Sequence, residues 1–250
     1  MKKISLLFTI LLILSCANDN KENDLTELNL YGKVKSVRTT TYYAVEKFNE
    51  IIIGEKTGKS THNKYDKNGS INERISYRLD GSLDYKYTYK YYTKGDVVDV
   101  ISYNEGKSSK VSYKYAENGK KIEENIFHSD GTDFMKITYK YDDKGNRIEK
   151  NSFMEGNLTS KYKYNYDTKN NRIAELSFLK NGKLESKIAY RYDNKGNRIE
   201  RNSYMLNDNI PDYTHLYEYK LDDKGNWTNQ IDFFKGKPYK IKERVIEYFN

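Results

Sequence analysis

Tyr139-Lys140-Tyr141-Asp142-Asp143-Lys144-Gly145-Asn146-Arg147-Ile148 returns fifty-one residues later as Tyr190-Arg191-Tyr192-Asp193-Asn194-Lys195-Gly196-Asn197-Arg198-Ile199. Working outward from these two stretches exposes a repeat over most of the chain. Its anchors are Gly69, Gly95, Gly119, Gly145, Asn170, Gly196 and Gly225, spaced 26, 24, 26, 25, 26 and 29 residues apart. Tyrosine stands four residues before the anchor as Tyr65, Tyr91, Tyr115, Tyr141, Tyr166 and Tyr192, and Leu221 takes the last place. Six residues before it stand Asn63, Tyr89, Tyr113, Tyr139, Tyr164, Tyr190 and Tyr219; eight after it an aromatic falls every time, from Tyr77 to Phe233. A fixed period of this length is the mark of stacked supersecondary units, each too thin to bury a face alone.

A second series of turns falls between the anchors, at Gly81, Gly106, Gly131, Gly156, Gly182, the glycine-free Asn207-Asp208-Asn209, and Gly236. Twelve of the 15 glycines thus mark one turn or the other. Glycine tolerates positive φ, and asparagine, as at position 170, is its best substitute. Each repeat then reads as two strands of about eight residues in a hairpin. The fold expected is all-β, an antiparallel meander of six to seven hairpin repeats forming a long twisted or partly rolled sheet. A four-residue loop at 142–145 would pair Tyr141 with Asn146 and set Tyr139 opposite Ile148. At 180–183 a two-residue Asn-Gly loop would set Leu179 opposite Leu184. The positions three and eight after each anchor have opposite parity in a straight strand. A bulge must separate them, or both faces of the sheet are covered.

The N-terminus carries a different signal. Lys2 and Lys3 precede the apolar run Ile4–Leu14, and Ser15 precedes Cys16, the only cysteine. This is the pattern of a secretory signal, too short for a membrane span. One cysteine excludes an internal disulfide framework. The ending Ile13-Leu14-Ser15-Cys16 resembles the lipobox of bacterial lipoproteins. That resemblance implies cleavage before Cys16, acylation of Cys16 and a membrane partner held through the lipid. Ala17, where the enteric lipoproteins retained in the inner membrane carry aspartate, points to the outer membrane. Residues 17–29, with Asp19, Glu22, Asp24 and Glu27, resemble the acidic segments of surface-exported lipoproteins of the Bacteroidota, so the expected address is the cell surface or the periplasmic face. The division expected is a signal peptide (1–15), a lipidated N-terminus and flexible tether (16–29), N-terminal capping strands (30–62), and a repeat domain with a C-terminal cap (63–250).

The motifs at Tyr139–Ile148 and Tyr190–Ile199 resemble the YD repeats of Rhs-type proteins, over about residues 63–234. In larger members such repeats form β-sheet shells or adhesive surface regions. The whole looks more like the small YD-repeat lipoproteins of the Bacteroidota. The repeat here is a few residues longer than in that family.

Function is narrowed by what the residues offer. Tyrosine outnumbers phenylalanine 26 to 9. Stacked repeats bring Tyr89, Tyr113, Tyr139, Tyr164, Tyr190 and Tyr219 into a ladder, with Tyr91, Tyr115, Tyr141, Tyr166 and Tyr192 beside it; nine of these stand out, Tyr89, Tyr113, Tyr115, Tyr139, Tyr141, Tyr164, Tyr166, Tyr190 and Tyr192. These nine are the candidate ligand-binding residues: rings open along a groove would stack on a glycan, whereas covered rings would be the core of the sheet. The net charge of +8 is spread as alternating Lys and Glu, without an arginine-rich stripe, which speaks against a nucleic-acid partner. His62, His128 and His215 share no repeat position, and Ser76, Ser102, Ser152, Ser177 and Ser203 all share one, a structural repetition. No catalytic residue, metal site or cofactor is expected. The expected role is a binding or interaction module for a glycan or an envelope protein, or else a structural envelope scaffold.

Overall fold

The computed structural model describes Leu25 and residues 28–91, 98–104, 107–128, 130–205 and 209–250. Cys16, Ala17, the turns at Gly95 and Gly106, and Asn207-Asp208 lie outside the described residues. The strands are β1 (Val34–Lys47), β2 (Glu50–Lys56), β3 (Ser60–Tyr65), β4 (Ile71–Tyr77), β5 (Leu83–Tyr91) and β6 (Val98–Asn104). They continue with β7 (Lys107–Tyr115), β8 (Lys121–Phe127), β9 (Asp133–Tyr141), β10 (Arg147–Met154), β11 (Asn157–Tyr166) and β12 (Arg172–Phe178). The last are β13 (Leu184–Tyr192), β14 (Arg198–Met205), β15 (Tyr213–Leu221), β16 (Trp227–Phe234) and β17 (Lys237–Tyr248).

From β3 onward each strand pairs antiparallel with its successor, the expected meander. The pairing then closes. β17 returns to β1, with Val37 opposite Ile246 and Thr41 opposite Lys242. β1 in turn pairs with β3, Val37 facing Asn63. Beyond that, β2 takes over the same side of β1, Ala44 facing Ile53. Seventeen strands thus fill sixteen places in a ring, because β2 and β3 share one. The segments expected to cap opposite ends of the sheet, 30–62 and the C-terminal stretch, instead meet as neighbours at the seam. Twist curls a long sheet, and closure pairs the edge groups that would otherwise recruit another chain.

The turns correct the expected loops. Asp142 N–H donates to the Asn146 carbonyl at 2.9 Å and Gly145 N–H to the Asp142 carbonyl at 2.9 Å, so the loop holds three residues, not four. Tyr141 therefore faces Arg147, and Tyr139 faces Lys150 rather than Ile148. Leu179 and Lys183 bracket a three-residue loop in the same way, and Leu184 faces Phe178, not Leu179. A three-residue loop needs a left-handed residue at its end, which Gly145 (φ 84°) and Asn170 (φ 65°) supply. The turn aspartates brace it: Asp142 Oδ1 accepts from the N–H groups of Lys144 (3.0 Å) and Asn146 (2.8 Å). Asp167 and Asp193 repeat the arrangement.

The parity conflict is resolved by bulges. Asn72, Ile122, Ile148, Ile173, Ile199 and Thr228 are each the unpaired extra residue of their hairpin. A second set sits at the other rim, at Asp84, Phe134, Thr159, Glu185 and Tyr239.

Between the bulges the two faces are distinct. One carries Tyr113, Glu124 and Ile137, then Tyr139, Lys150 and Tyr162, then Tyr190, Arg201 and His215 across neighbouring strands. This is the inner face. Tyr139, Tyr164 and Tyr190 expose only 9%, 8% and 7%, whereas Lys140 and Arg191 on the opposite face expose 69%. Side chains converge on the concave side of a rolled sheet and splay on its convex side. The outer wall is laced with ion pairs, such as Lys140 and Lys161 on Glu149 (3.2 and 3.5 Å) and Lys64 and Lys86 on Glu73 (2.7 and 2.5 Å).

The rim that carries the anchor turns is covered by the N-terminal segment. Leu25 and Leu30 are buried with Val34, Val37, Tyr65 and Ile71, so packing reaches into the stretch expected to be a tether. Tyr31 N–H donates to Asn226 Oδ1 at 2.8 Å, and its hydroxyl reaches the Lys195 carbonyl at 3.4 Å.

Candidate binding pocket

The structure brings the nine candidate tyrosines together on the inner face, but not as an open groove. Tyr139, Tyr164 and Tyr190 are buried; Tyr89, Tyr113, Tyr115, Tyr141, Tyr166 and Tyr192 are half-buried. The isoleucines three after the anchors do not cover them: as bulged residues, Ile148 and Ile173 stay 37% and 39% exposed. Cations do. Lys121 Nζ lies 4.4 Å from the Tyr113 ring centre and 5.3 Å from that of Tyr139. Arg147 lies 4.7 Å from Tyr139, Arg172 lies 5.2 and 5.6 Å from Tyr164 and Tyr190, and Arg198 lies 4.2 Å from Tyr190. Rings and cations alternate around the wall, each pair contributing about 0.5–2 kcal/mol according to its burial.

The second tyrosine row closes the rim. The hydroxyls of Tyr141, Tyr166 and Tyr192 donate to the carbonyls of Lys121, Arg147 and Arg172 at 2.7–2.8 Å, each reaching back one repeat. Tyr219 does the same to Arg198 at 2.6 Å. Burial, and then the charge of Glu175, pushes the Tyr164 phenol up to about 12. Burial, and then the charge of Glu124, raises Tyr113 and Tyr139 further.

At the opposite rim the repeat breaks, and a pocket of roughly 450 Å³ opens there between β13 and β17. Its walls include Ile188, Arg201, Tyr213, His215, Phe234 and Tyr239. The Phe234 ring centre lies 4.9 Å from His215, 5.8 Å from Tyr239 and 6.0 Å from Tyr213. Tyr239 is the bulged residue between Pro238 and Lys240. Plain alternation from Lys240 would turn it outward, and the bulge aims it inward at His215, 6.3 Å away.

The polar groups of the pocket are ordered from behind. His215 Nδ1 and Asp232 Oδ1 are 2.7 Å apart. A carboxylate only accepts, so Nδ1 holds the proton and Nε2 is left to other partners. Ser203 Oγ is buried without a hydrogen-bond partner, so it forms no Ser-His pair with His215. Asp212 is engaged, its Oδ2 accepting from Met205 N–H at 2.7 Å. Lysines stand over the surrounding rings: Lys187 over Tyr204 (5.3 Å), Lys235 over Phe234 (5.5 Å) and Lys240 over Tyr239 (4.7 Å).

None of these residues was among the sequence candidates. The visible signal was the interruption itself: a 29-residue spacing, a turn without glycine, and Pro211. Among the described residues no group of three or more His, Cys, Asp and Glu is placed to hold a metal ion. In the turn at Asp142 both carboxylate oxygens accept from Asn146.

No family model matches the chain, and no curated protein does. A solved structure shares its fold. A porin-like protein from Bacteroides uniformis aligns with a TM-score of 0.55 and 11% identity, over 86% of this chain and 96% of that one. A porin-like protein from Bacteroides vulgatus aligns with a TM-score of 0.46 and 14% identity, over 86% and 98%. The likeness to the Bacteroides uniformis protein is one of fold. The outer wall here carries Lys, Arg and Glu along its strands, and a lysine facing hydrocarbon costs about 2–4 kcal/mol at mid-bilayer. No helix among the described residues is long and apolar enough to cross a membrane.

Proposed function

We propose that the chain is a lipid-anchored, non-enzymatic envelope protein whose closed sheet is an interaction module. In this reading Cys16 carries the lipid, and the ladder from Tyr89 to Tyr192 holds the wall. The ligand surface is the aromatic pocket at the far rim. The observation that carries the reading is the burial of Tyr139, Tyr164 and Tyr190 beneath Arg147, Arg172 and Arg198, while Tyr213 and Tyr239 remain 46% and 40% exposed. A ladder that itself stacked on sugars would need open rings.

Orientation follows from the N-terminal segment. Leu25 is docked at the anchor-turn rim, and the nine residue-to-residue steps from Cys16 to Leu25 span at most about 30 Å. That rim therefore lies toward the bilayer, and the pocket points away from it. The lipobox and the YD-like motifs support the same address, at the outer membrane.

Tyr164→Ala tests the wall role. Removing a buried ring should cost about 3 kcal/mol in urea unfolding, and an unchanged midpoint would refute the ladder as core. Metabolic labelling with a fatty-acid analogue tests the anchor: Cys16→Ala should abolish incorporation, and equal labelling would overturn it. Protease shaving of intact cells then separates cell surface from periplasmic face.

A further inference from the structure

We propose that the pocket between β13 and β17 binds a uronic acid, a pyranose ring bearing a carboxylate, as part of an acidic polysaccharide. The inference rests on the interaction-module reading and names the ligand class for its pocket.

Three features point to that chemistry. Tyr213, Phe234 and Tyr239 supply apolar ring surface at the mouth of a cavity large enough for one or two sugars, the arrangement that stacks on the C–H face of a pyranose. Arg201 is directly opposite His215 in the ladder, and its guanidinium has no carboxylate partner among the described residues. A planar five-donor fork in an apolar cleft matches a carboxylate in two-point contact. His215, held by Asp232, keeps Nε2 for a sugar hydroxyl.

The field around the pocket has the same sign. Arg201, Lys187, Lys235 and Lys240 stand around it against the two carboxylates of Asp232 and Asp212, which leaves an excess of positive charge. A neutral sugar would leave this charge unused and the guanidinium without a carboxylate among the described residues. An anionic one pairs both, and a cleft of one sign also raises the local concentration of a polyanion.

The test uses the full chain purified in detergent, titrated by calorimetry with tetragalacturonate, maltotetraose and benzoate. The expected result is saturable binding of the uronate, at least tenfold tighter than either comparison ligand. Arg201→Met should weaken it by about 10- to 100-fold, the range of a charged hydrogen-bond pair. Arg201→Lys should restore part of that loss, and a matching urea midpoint certifies the fold of each variant. Saturation-transfer NMR on the wild type adds a readout independent of folding, with the ring C–H protons of the uronate receiving most transfer. Equal binding of maltotetraose, tighter binding of benzoate, or an unchanged affinity in Arg201→Met would each overturn the proposal. Because binding is measured in solution, loss of lipid labelling or of the Tyr164→Ala effect would strike the interaction-module reading and not this one.

Discussion

Asn226 stands one residue after its anchor, as do Asn146, Asn171 and Asn197. Those three fold their amides back onto the turn aspartates Asp142, Asp167 and Asp193. Asn226, only 2% exposed, instead takes the Tyr31 N–H on Oδ1 and gives Nδ2 to the Tyr31 carbonyl at 2.9 Å and the Tyr248 hydroxyl at 2.7 Å. Asn226→Ala should therefore cost about 2–3 kcal/mol, because it removes the three hydrogen bonds of a buried side chain at once. Asn197→Ala loses one bond within its own turn and should cost about 1 kcal/mol or less. Urea unfolding measures both, and limited proteolysis within residues 25–33 should accelerate only in Asn226→Ala. Sequence alone cannot separate these asparagines, since the difference lies in a segment some 195 residues away. The left-handed turn residues were legible, because a three-residue loop dictates its own φ.

At the scale of the hairpin, turn chemistry makes a pH prediction. Burial would raise the Asp142 and Asp167 carboxyls, but bonds from the Asn146 or Asn171 side chain and from two backbone N–H groups each outweigh it and hold both below the usual carboxylate range. A lowered folded value means the unfolded state binds protons first as pH falls. The stabilisation is complete above about pH 4 and is lost below it, as pH drops through the folded values. In acid unfolding, Asp142→Asn with Asp167→Asn should start less stable at neutral pH and lose stability less steeply below pH 4. The hairpins themselves, and the ladder of six tyrosines, were visible as periodicity. Their register was not. Reading four-residue loops put Ile148 opposite Tyr139, whereas a three-residue loop puts Arg147 opposite Tyr141 and drops Ile148 into the bulge. That shift is why the cation cover was missed: with the loop one residue shorter, Lys121, Arg147, Arg172 and Arg198 join the tyrosine face, though each looks in sequence like an ordinary solvated charge.

Closure governs the whole molecule. Thr39 sits at the seam, facing Arg244 of β17 on one side and Thr61 of β3 on the other. In an open sheet one of those sides would be an edge, where proline is tolerated; here both are paired. Thr39→Pro should cost at least about 3 kcal/mol and drive association through the freed edges of β17 and β3, measured by unfolding and light scattering. A monomer of wild-type stability would contradict the closed ring. The inner tyrosines give a second readout. Burial, with the charge of Glu175 on one and Asp232 on the other, holds the Tyr164 and Tyr217 phenols up to about 12, against about 10 when unfolded. Stability from these groups is therefore complete below pH 10 and lost as pH climbs toward 12. Phenolate absorbance should rise in two phases, the later one coinciding with unfolding. A single phase near pH 10 would mean open rings.

The repeat by itself determined that the chain is all-β, that it runs as hairpins, where the described turns fall and which tyrosines share a face. All of these depend on residues within one repeat, where backbone preferences and alternation act. The closed ring, the docking of Leu25 and Tyr31 over one rim, and the pocket around His215 depend on pairs such as Val37 with Ile246 and Arg201 with His215. The first pair lies across the seam. The second lies across the hairpin where the period breaks. Only the tertiary structure decided these, because closure is set by twist accumulated over sixteen places, a sum of small rotations that no single repeat records.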